Sequence, residues 1–313
     1  MKTRENQIKD AAHLEGTIVK GIAGFYYVKS GDAVYRCKAR GIFKQRDIKP
    51  AVGDAVIMEV IPDNDDSLIT QLLPRRNIFI RPFVANVDCF AVVAAASSPD
   101  PVYAVIDKLL VMAEKAGTDI VICINKCDLA EDMESSTSRR ACENIEMIKG
   151  IYKSIYPLVC LDGRTGEGTE QLLDLIKGKK TALAGPSGVG KSTILNRLVP
   201  DAEAETGSIS EKSQRGKHTT RHSELFTVKS DGTMLFDTPG FTSFDILEAD
   251  ETELQYLFPE ISSRLGSCRY HNCLHITEPG CSVREAVEKK EINAIRYRSY
   301  TDMIEEIRKS RQY

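Results

Sequence analysis

Residues 185–192 read Gly-Pro-Ser-Gly-Val-Gly-Lys-Ser, a complete G-x-x-x-x-G-K-[ST] pattern. The apolar TALA precedes it and the helix-compatible TILNRL follows. That arrangement suits the binding of phosphates. Glycines let backbone N–H groups turn inward around anionic oxygens, and the following helix directs its positive end at the same charge. The expected nucleotide contacts are Gly185, Ser187, Gly188, Val189, Gly190 and Thr193, with Lys191 reaching the β- and γ-phosphates and Ser192 ligating Mg²⁺. Asp237-Thr238-Pro239-Gly240 closes the apolar TMLF. There Asp237 suits a second hold on Mg²⁺, and the Gly240 N–H suits the γ-phosphate. Asn125-Lys126-Cys127-Asp128 follows the apolar IVICI. A carboxylate at Asp128 accepts hydrogen bonds from both N1–H and the exocyclic amine of guanine, whereas adenine presents a different edge. Asn125 would brace that loop, and Lys126 would lay its stem along the base. Taken singly, the last two tetrapeptides also make ordinary turns. Together with the phosphate loop they point to GTP.

A fourth stretch has different chemistry. Cys268, Cys273, His275 and Cys281 make a Cys₃His set, a closed tetrahedral complement for one structural Zn²⁺. His271 lies inside the same span and competes with His275 on spacing alone. The other six cysteines, Cys37, Cys89, Cys123, Cys127, Cys142 and Cys160, are scattered, several in apolar runs. They read as buried reduced thiols, and the odd total argues against a full disulfide framework.

Residues 206–221 are polar, hold Gly207 and Gly216 and lack a clear period. Such a loop suits a nucleotide-sensing switch, and Thr219 or Thr220 could give Mg²⁺ a hydroxyl. Ras-like enzymes orient the attacking water with a Gln just after D-x-x-G. Here Phe241 stands at that position and cannot do so. His218, beside the threonines, is the candidate to position or deprotonate water. Lys191, Thr220 and His218 thus form the expected catalytic set.

These residues need a scaffold that gathers strand ends. Residues 14–73 hold short β-rich runs, LEGTIVK, GFYYVKS, AVYRCKARG and AVIMEVIP, broken by Gly, Asp and Pro. They suit a small OB-type or SH3-like barrel. Pro74-Arg75-Arg76-Asn77 reads as a linker. Beyond it, the continuous apolar CFAVVAAA and strands alternating with helices indicate a mainly parallel α/β sheet. After about Phe244 the pattern turns helical around the Cys/His cluster.

The chain has 313 residues, 42% hydrophobic and 28% charged, and a net charge of −3. No apolar run approaches the ~18 residues of a membrane span, and the charged start lacks a signal-peptide pattern. Both favour the cytoplasm. Residues 1–50 carry eleven Lys/Arg against five Asp/Glu, a local excess that suits either RNA or an ordinary solvated face. Phe25, Tyr26, Tyr27, Tyr35 and Phe43, among Arg36, Lys38 and Arg40, could stack on unpaired bases. Each aromatic taken alone is expected to be core.

The N-K-x-D tetrapeptide stands about sixty residues before the phosphate loop, whereas Ras-like GTPases place it after D-x-x-G. The order has been cut and rejoined, which a fold survives because termini often lie close together. The ordered set NKCD, GPSGVGKST, GKHTTR, DTPGF and a Cys/His cluster closely resembles the RsgA/YjeQ family of small-subunit-dependent GTPases over essentially the whole chain. The resemblance implies a multidomain α/β protein: an OB-fold RNA-binding domain (1–73), a circularly permuted P-loop GTPase domain (74–245) and a mainly helical zinc-binding domain (246–313). It favours His275 over His271, puts Thr220 first and points to His218. It also implies Mg²⁺-dependent, ribosome-stimulated hydrolysis of GTP to GDP in late maturation of the small (30S) subunit, with contacts to 16S rRNA by a cytoplasmic monomer. The alternative is an RNA-binding scaffold that uses GTP only structurally. The family's second guanine loop, usually Ser-Ala-like, has no clear match in residues 159–168, so no contact is assigned there.

Overall fold

The computed structural model describes residues 12–45, 47–60, 65–131, 135–200, 223–238, 241 and 249–311. Five strands build the N-terminal barrel: β1 (Ala12–Ile22), β2 (Phe25–Ser30), β3 (Ala33–Ala39), β4 (Ala55–Val60) and β5 (Ser67–Leu72). β1 pairs antiparallel with both β2 and β4, and β3 pairs parallel with β5, so the order 1-2-3-5-4-1 closes. This is OB topology and settles the barrel type. Alternation aims Ile18, Val28, Cys37, Val56, Met58 and Ile69 inward, where they are fully buried. A short helix, α1 (Gly41–Gln45), follows β3 and buries Phe43. Phe25, Tyr26, Tyr27 and Tyr35 are only half-buried, so among the five aromatics Phe43 alone meets the core expectation.

The barrel is not strung on a linker. Arg75 donates from Nε and Nη2 to the two oxygens of fully buried Asp54, at 2.7 and 2.8 Å. The Asn77 side chain brackets Val87, donating to its carbonyl and accepting from its N–H, both at 2.9 Å. Pro74–Asn77 is therefore a bolted junction. After the two-residue strands β6 (Ile78–Phe79) and β7 (Val84–Ala85), the α/β domain begins. It shares its sheet with the barrel: β1 pairs antiparallel with β12 (Glu224–Thr227), Lys20 opposite Glu224, and these side chains form an ion pair at 2.6 Å.

The remaining strands are β8 (Cys89–Ala95), β9 (Asp119–Asn125), β10 (Leu158–Cys160), β11 (Lys180–Ala184) and β13 (Met234–Asp237). The continuous sheet runs β10-β9-β8-β11-β13-β12 and on into the barrel. All pairings from β10 to β13 are parallel, and β12 is antiparallel to β13. All seven β8 residues are buried, as a strand covered on both faces requires. Phe90, Val92 and Ala94 share a core with α2 (Tyr103–Lys115) and α3 (Ser136–Tyr152). Cys89, Ala91, Val93 and Ala95 share the other with α4 (Thr169–Leu175) and α5 (Lys191–Leu198).

The C-terminal region is helical, with α6 (Pro259–Ser262), α7 (Ser282–Glu288) and α8 (Ala294–Ser310). Asn293 caps α8 by accepting from the Ile295 N–H, and Arg308 and Lys309 complement its C-terminal dipole. The region packs on the outer stripe of α2: Val111 joins Leu254, Phe258, Tyr300, Met303, Ile304 and Ile307 in one core. At its centre Arg296 is fully buried, donating to Asp107 of α2 (2.7 Å) and to Glu260 (2.6 Å). Its guanidinium lies 4.4 Å from the Phe258 ring centre, and Tyr152 donates to the same Asp107 oxygen at 2.8 Å. Lys108–Glu306 and Lys115–Glu253 flank this cluster. No helix among the described residues is long and apolar enough to cross a membrane.

Candidate functional site

Because β8, β9, β10, β11 and β13 run parallel, their C-terminal ends lie on one edge, where open α/β sheets bind ligands. β11 ends at Ala184 and delivers the phosphate loop; β9 ends at Asn125; β13 ends at Asp237; β10 delivers residues 161–168. The permuted order along the chain therefore leaves the spatial order intact.

One side chain ties three of these segments together. Asn125 is buried; its Nδ2 donates to the Val189 carbonyl in the phosphate loop at 2.8 Å, and its Oδ1 accepts from the Gly163 N–H at 2.9 Å. The expected bracing role thus extends to the loop at 162–166, which sequence reading left without a contact. Here that loop comes beside Asp128: Arg164 Nη2 donates to Asp128 Oδ2 at 3.2 Å, with Arg164 itself largely exposed. Lys126 adopts a left-handed conformation (φ 63°) and donates from Nζ to the Ser98 carbonyl.

The phosphate loop is shaped by contacts that exclude side chains. A Cβ on Gly190 (φ 95°) would lie 2.2 Å from Asn125 Nδ2, and one on Gly185 (φ 150°) 2.3 Å from the Val93 carbonyl. Lys191 Nζ folds back onto its own loop, donating to the carbonyls of Gly185 (2.7 Å) and Pro186 (2.8 Å). Burial lowers its pKa to about 8, and an arriving phosphate would supply negative charge that favours the protonated lysine. Ser192 sits on the first turn of α5, and Asp237 ends the neighbouring β11–β13 pair. His218, Thr219, Thr220 and Gly240 lie outside the described residues. Phe241 is described, and it is a core residue. Its ring packs edge-on against Phe79 and Phe90 at 5.4 and 4.9 Å, and its carbonyl accepts from the Gly185 N–H at 3.0 Å. The position that carries the water-orienting Gln elsewhere is here an anchor for the phosphate loop.

The cysteine cluster forms a second centre. The ligand atoms of Cys268, Cys273, His275 and Cys281 all lie within 4.8 Å of one another. His275 Nδ1 is 3.5 Å from Cys268 Sγ and 3.3 Å from Cys281 Sγ, and those two sulfurs are 4.0 Å apart. Zn–S bonds of ~2.3 Å and Zn–N bonds of ~2.0 Å in a tetrahedron give edges of about 3.5–3.8 Å, close to the spacings among Cys268, His275 and Cys281, with Cys273 within 4.8 Å of all three. His275 Nε2 faces Gln255 Oε1 at 3.2 Å, the outer contact that fixes a ligating imidazole. Burial lowers the His275 pKa against the pull of Glu278, which keeps the ring neutral. Glu278 accepts from the N–H groups of Leu274, Ile276 and Thr277, and Tyr297 and Tyr300 donate to the carbonyls of His275 and Leu274. His271 is exposed and outside the cluster.

A phosphate loop, an N-K-x-D tetrapeptide and the strand end at Asp237 on one sheet edge, in rotated sequence order, define a circularly permuted GTPase. Residues 72–247 match the family model of the RsgA GTPase, and residues 15–69 that of the RsgA N-terminal domain. The chain belongs to the RsgA family and is a GTP-hydrolysing enzyme. It is 42% identical over 301 residues to the small ribosomal subunit biogenesis GTPase RsgA of Alkaliphilus metalliredigens, covering 96% of this chain and 99% of that one. To the protein of the same name from Carboxydothermus hydrogenoformans it is 45% identical over 295 residues, covering 94% and 98%. Among solved structures, YjeQ from Thermotoga maritima superposes with a TM-score of 0.79 at 32% identity, over 95% of this chain and 99% of that one. YloQ, described as a circularly permuted GTPase, gives 0.77 at 32%, over 99% of both.

Asp128 gives the first test. If it accepts from guanine as expected, replacing it with Ala removes two hydrogen bonds to a charged group, each worth about 1.5–3 kcal/mol. GTP affinity is expected to fall at least a hundredfold while ATP affinity stays unchanged. Fluorescent-nucleotide titration reads both, and an equal loss for the two nucleotides would contradict the assignment.

Proposed function

We propose that this protein binds GTP with Mg²⁺ along the C-terminal sheet edge and hydrolyses it to GDP and phosphate when engaged with the small ribosomal subunit, assisting late maturation of that particle. The observation that carries this reading is the Asn125 bridge, which makes one cleft of the guanine tetrapeptide, the phosphate loop and residues 162–166. The particle is supplied by the shared name of the relatives. Contact with 16S rRNA falls to the barrel, where Arg36 and Lys38 sit over the half-exposed Phe25 ring at 5.3 and 5.1 Å, a cationic stacking platform. The protein acts in the cytoplasm as a monomer.

In this reading Lys191 leaves its loop carbonyls to hold the β- and γ-phosphates. Ser192, Thr220 and Asp237 hold Mg²⁺, and the Gly240 N–H contacts the γ-phosphate. Cys268, Cys273, His275 and Cys281 hold one structural Zn²⁺. With Phe241 committed to the core, the water falls to His218. His218→Ala is expected to keep GTP affinity and lose about 10²–10⁴-fold of stimulated hydrolysis. An unchanged single-turnover rate with small subunits present would remove that role. Comparing hydrolysis with and without purified small subunits tests the whole reading, because a scaffold using GTP only structurally shows no stimulation.

A further inference from the structure

The variable residue of the guanine tetrapeptide is Cys127, and it has a neighbour. Cys160 ends β10 in register with Ile124 of β9. The Cys127 N–H donates to the Leu161 carbonyl at 3.3 Å, and its thiol donates to the Ile124 carbonyl at 3.2 Å. The two cysteines therefore stand side by side where the two base-facing loops leave the sheet. Both are partly exposed, whereas Cys37, Cys89 and Cys123 are buried. That separates them from the inert thiols the sequence suggests, because reactive cysteines need access.

We propose that Cys127 and Cys160 are a peroxide-sensitive pair whose disulfide closes the guanine pocket. The neighbouring Cys127 thiol holds the Cys160 thiol below the ordinary thiol range despite its burial, and the Lys149 charge adds to this. Cys160 is thus the attacking thiolate and Cys127 the resolving thiol. The Cys160 sulfur attacks one oxygen of hydrogen peroxide; the O–O bond breaks, leaving a sulfenic acid on Cys160 and hydroxide, which takes up a proton to become water. The Cys127 sulfur then attacks the Cys160 sulfur, forming S–S and breaking S–O. Hydroxide leaves and takes the Cys127 proton as a second water. Two thiols are oxidised by two electrons, and one peroxide is reduced to two waters.

A disulfide of ~2.05 Å draws Cys127 toward β10 and removes its bond to the Ile124 carbonyl. Asp128, the next residue, moves with it. This inference rests on the guanine-site reading, and shifts of about 1 Å at such a site carry large costs. In full-length, zinc-loaded protein treated with hydrogen peroxide, peptide mapping is expected to find a Cys127–Cys160 cross-link. Affinity for fluorescent GDP is expected to fall at least about tenfold, the equivalent of ~1.4 kcal/mol, and to return with dithiothreitol. Cys160→Ser is expected to bind GDP like reduced wild type and to ignore peroxide. No such cross-link at peroxide doses that leave the zinc content intact would overturn the proposal, as would a cross-linked protein of unchanged affinity. Failure of the reduced wild type to bind GDP would instead sink the guanine-site reading, and the nucleotide effect with it.

Discussion

Arg296→Met is expected to destabilise the chain by about 3–5 kcal/mol, read as a lowered denaturant midpoint. Removing one member of a buried ionic cluster leaves the others uncompensated. Arg296 is fully buried between α2 and the C-terminal region, where it neutralises Asp107 and nearly buried Glu260. No water replaces it readily: Phe258 stacks on the guanidinium, and Tyr152 already donates to Asp107. The cluster itself need not contribute net stability. The triple change Arg296→Met, Asp107→Leu and Glu260→Leu is expected to recover most of the loss, since apolar residues of similar volume often replace such sets without penalty. A single-variant loss below about 1 kcal/mol would show that the cluster is solvated or rearranges.

The largest expected effect belongs to the cysteine cluster. One zinc per chain is expected by elemental assay, and its removal by chelation unfolds the 268–281 segment. Structural zinc supplies about 10–16 kcal/mol of apparent binding energy in small domains, and this segment has little regular structure to hold it otherwise. Cys281 buries its sulfur at the start of α7, and Cys268 and His275 face it at 4.0 and 3.3 Å. Cys281→Ser and His275→Ala are therefore expected to abolish stoichiometric zinc and raise protease sensitivity in the C-terminal region. His271→Ala is expected to do neither. Zinc retained at one per chain in His275→Ala would overturn the ligand assignment.

The site was legible in the sequence wherever chemistry demands fixed residues at fixed spacing. The phosphate loop, the guanine tetrapeptide and the Cys₃His set each carry their geometry in a short window, and the parallel strands read as apolar runs. The hidden parts depend on long-range pairing. Asp107 reads as an ordinary helix-surface acid, and its burial is set by Arg296, 189 positions later. The role of residues 162–166 follows from Asn125, 38 positions earlier, and no loop motif announces it. Each barrel aromatic taken alone is expected to be core, but a small barrel has room inside for only some of them, and here Phe43 on α1 is the buried one.

The β1–β12 seam has a consequence for how this molecule can be divided. Composition suggests cutting after residue 73, but that cut would separate two halves of one hydrogen-bonded sheet. It would also strand Arg75 from the buried Asp54. Each fragment would present a raw strand edge to solvent, the usual template for unwanted pairing between chains. What looks in the linear chain like a module with an attachment is, mechanically, a single ribbon, and anything that grips the barrel holds the nucleotide domain by its margin.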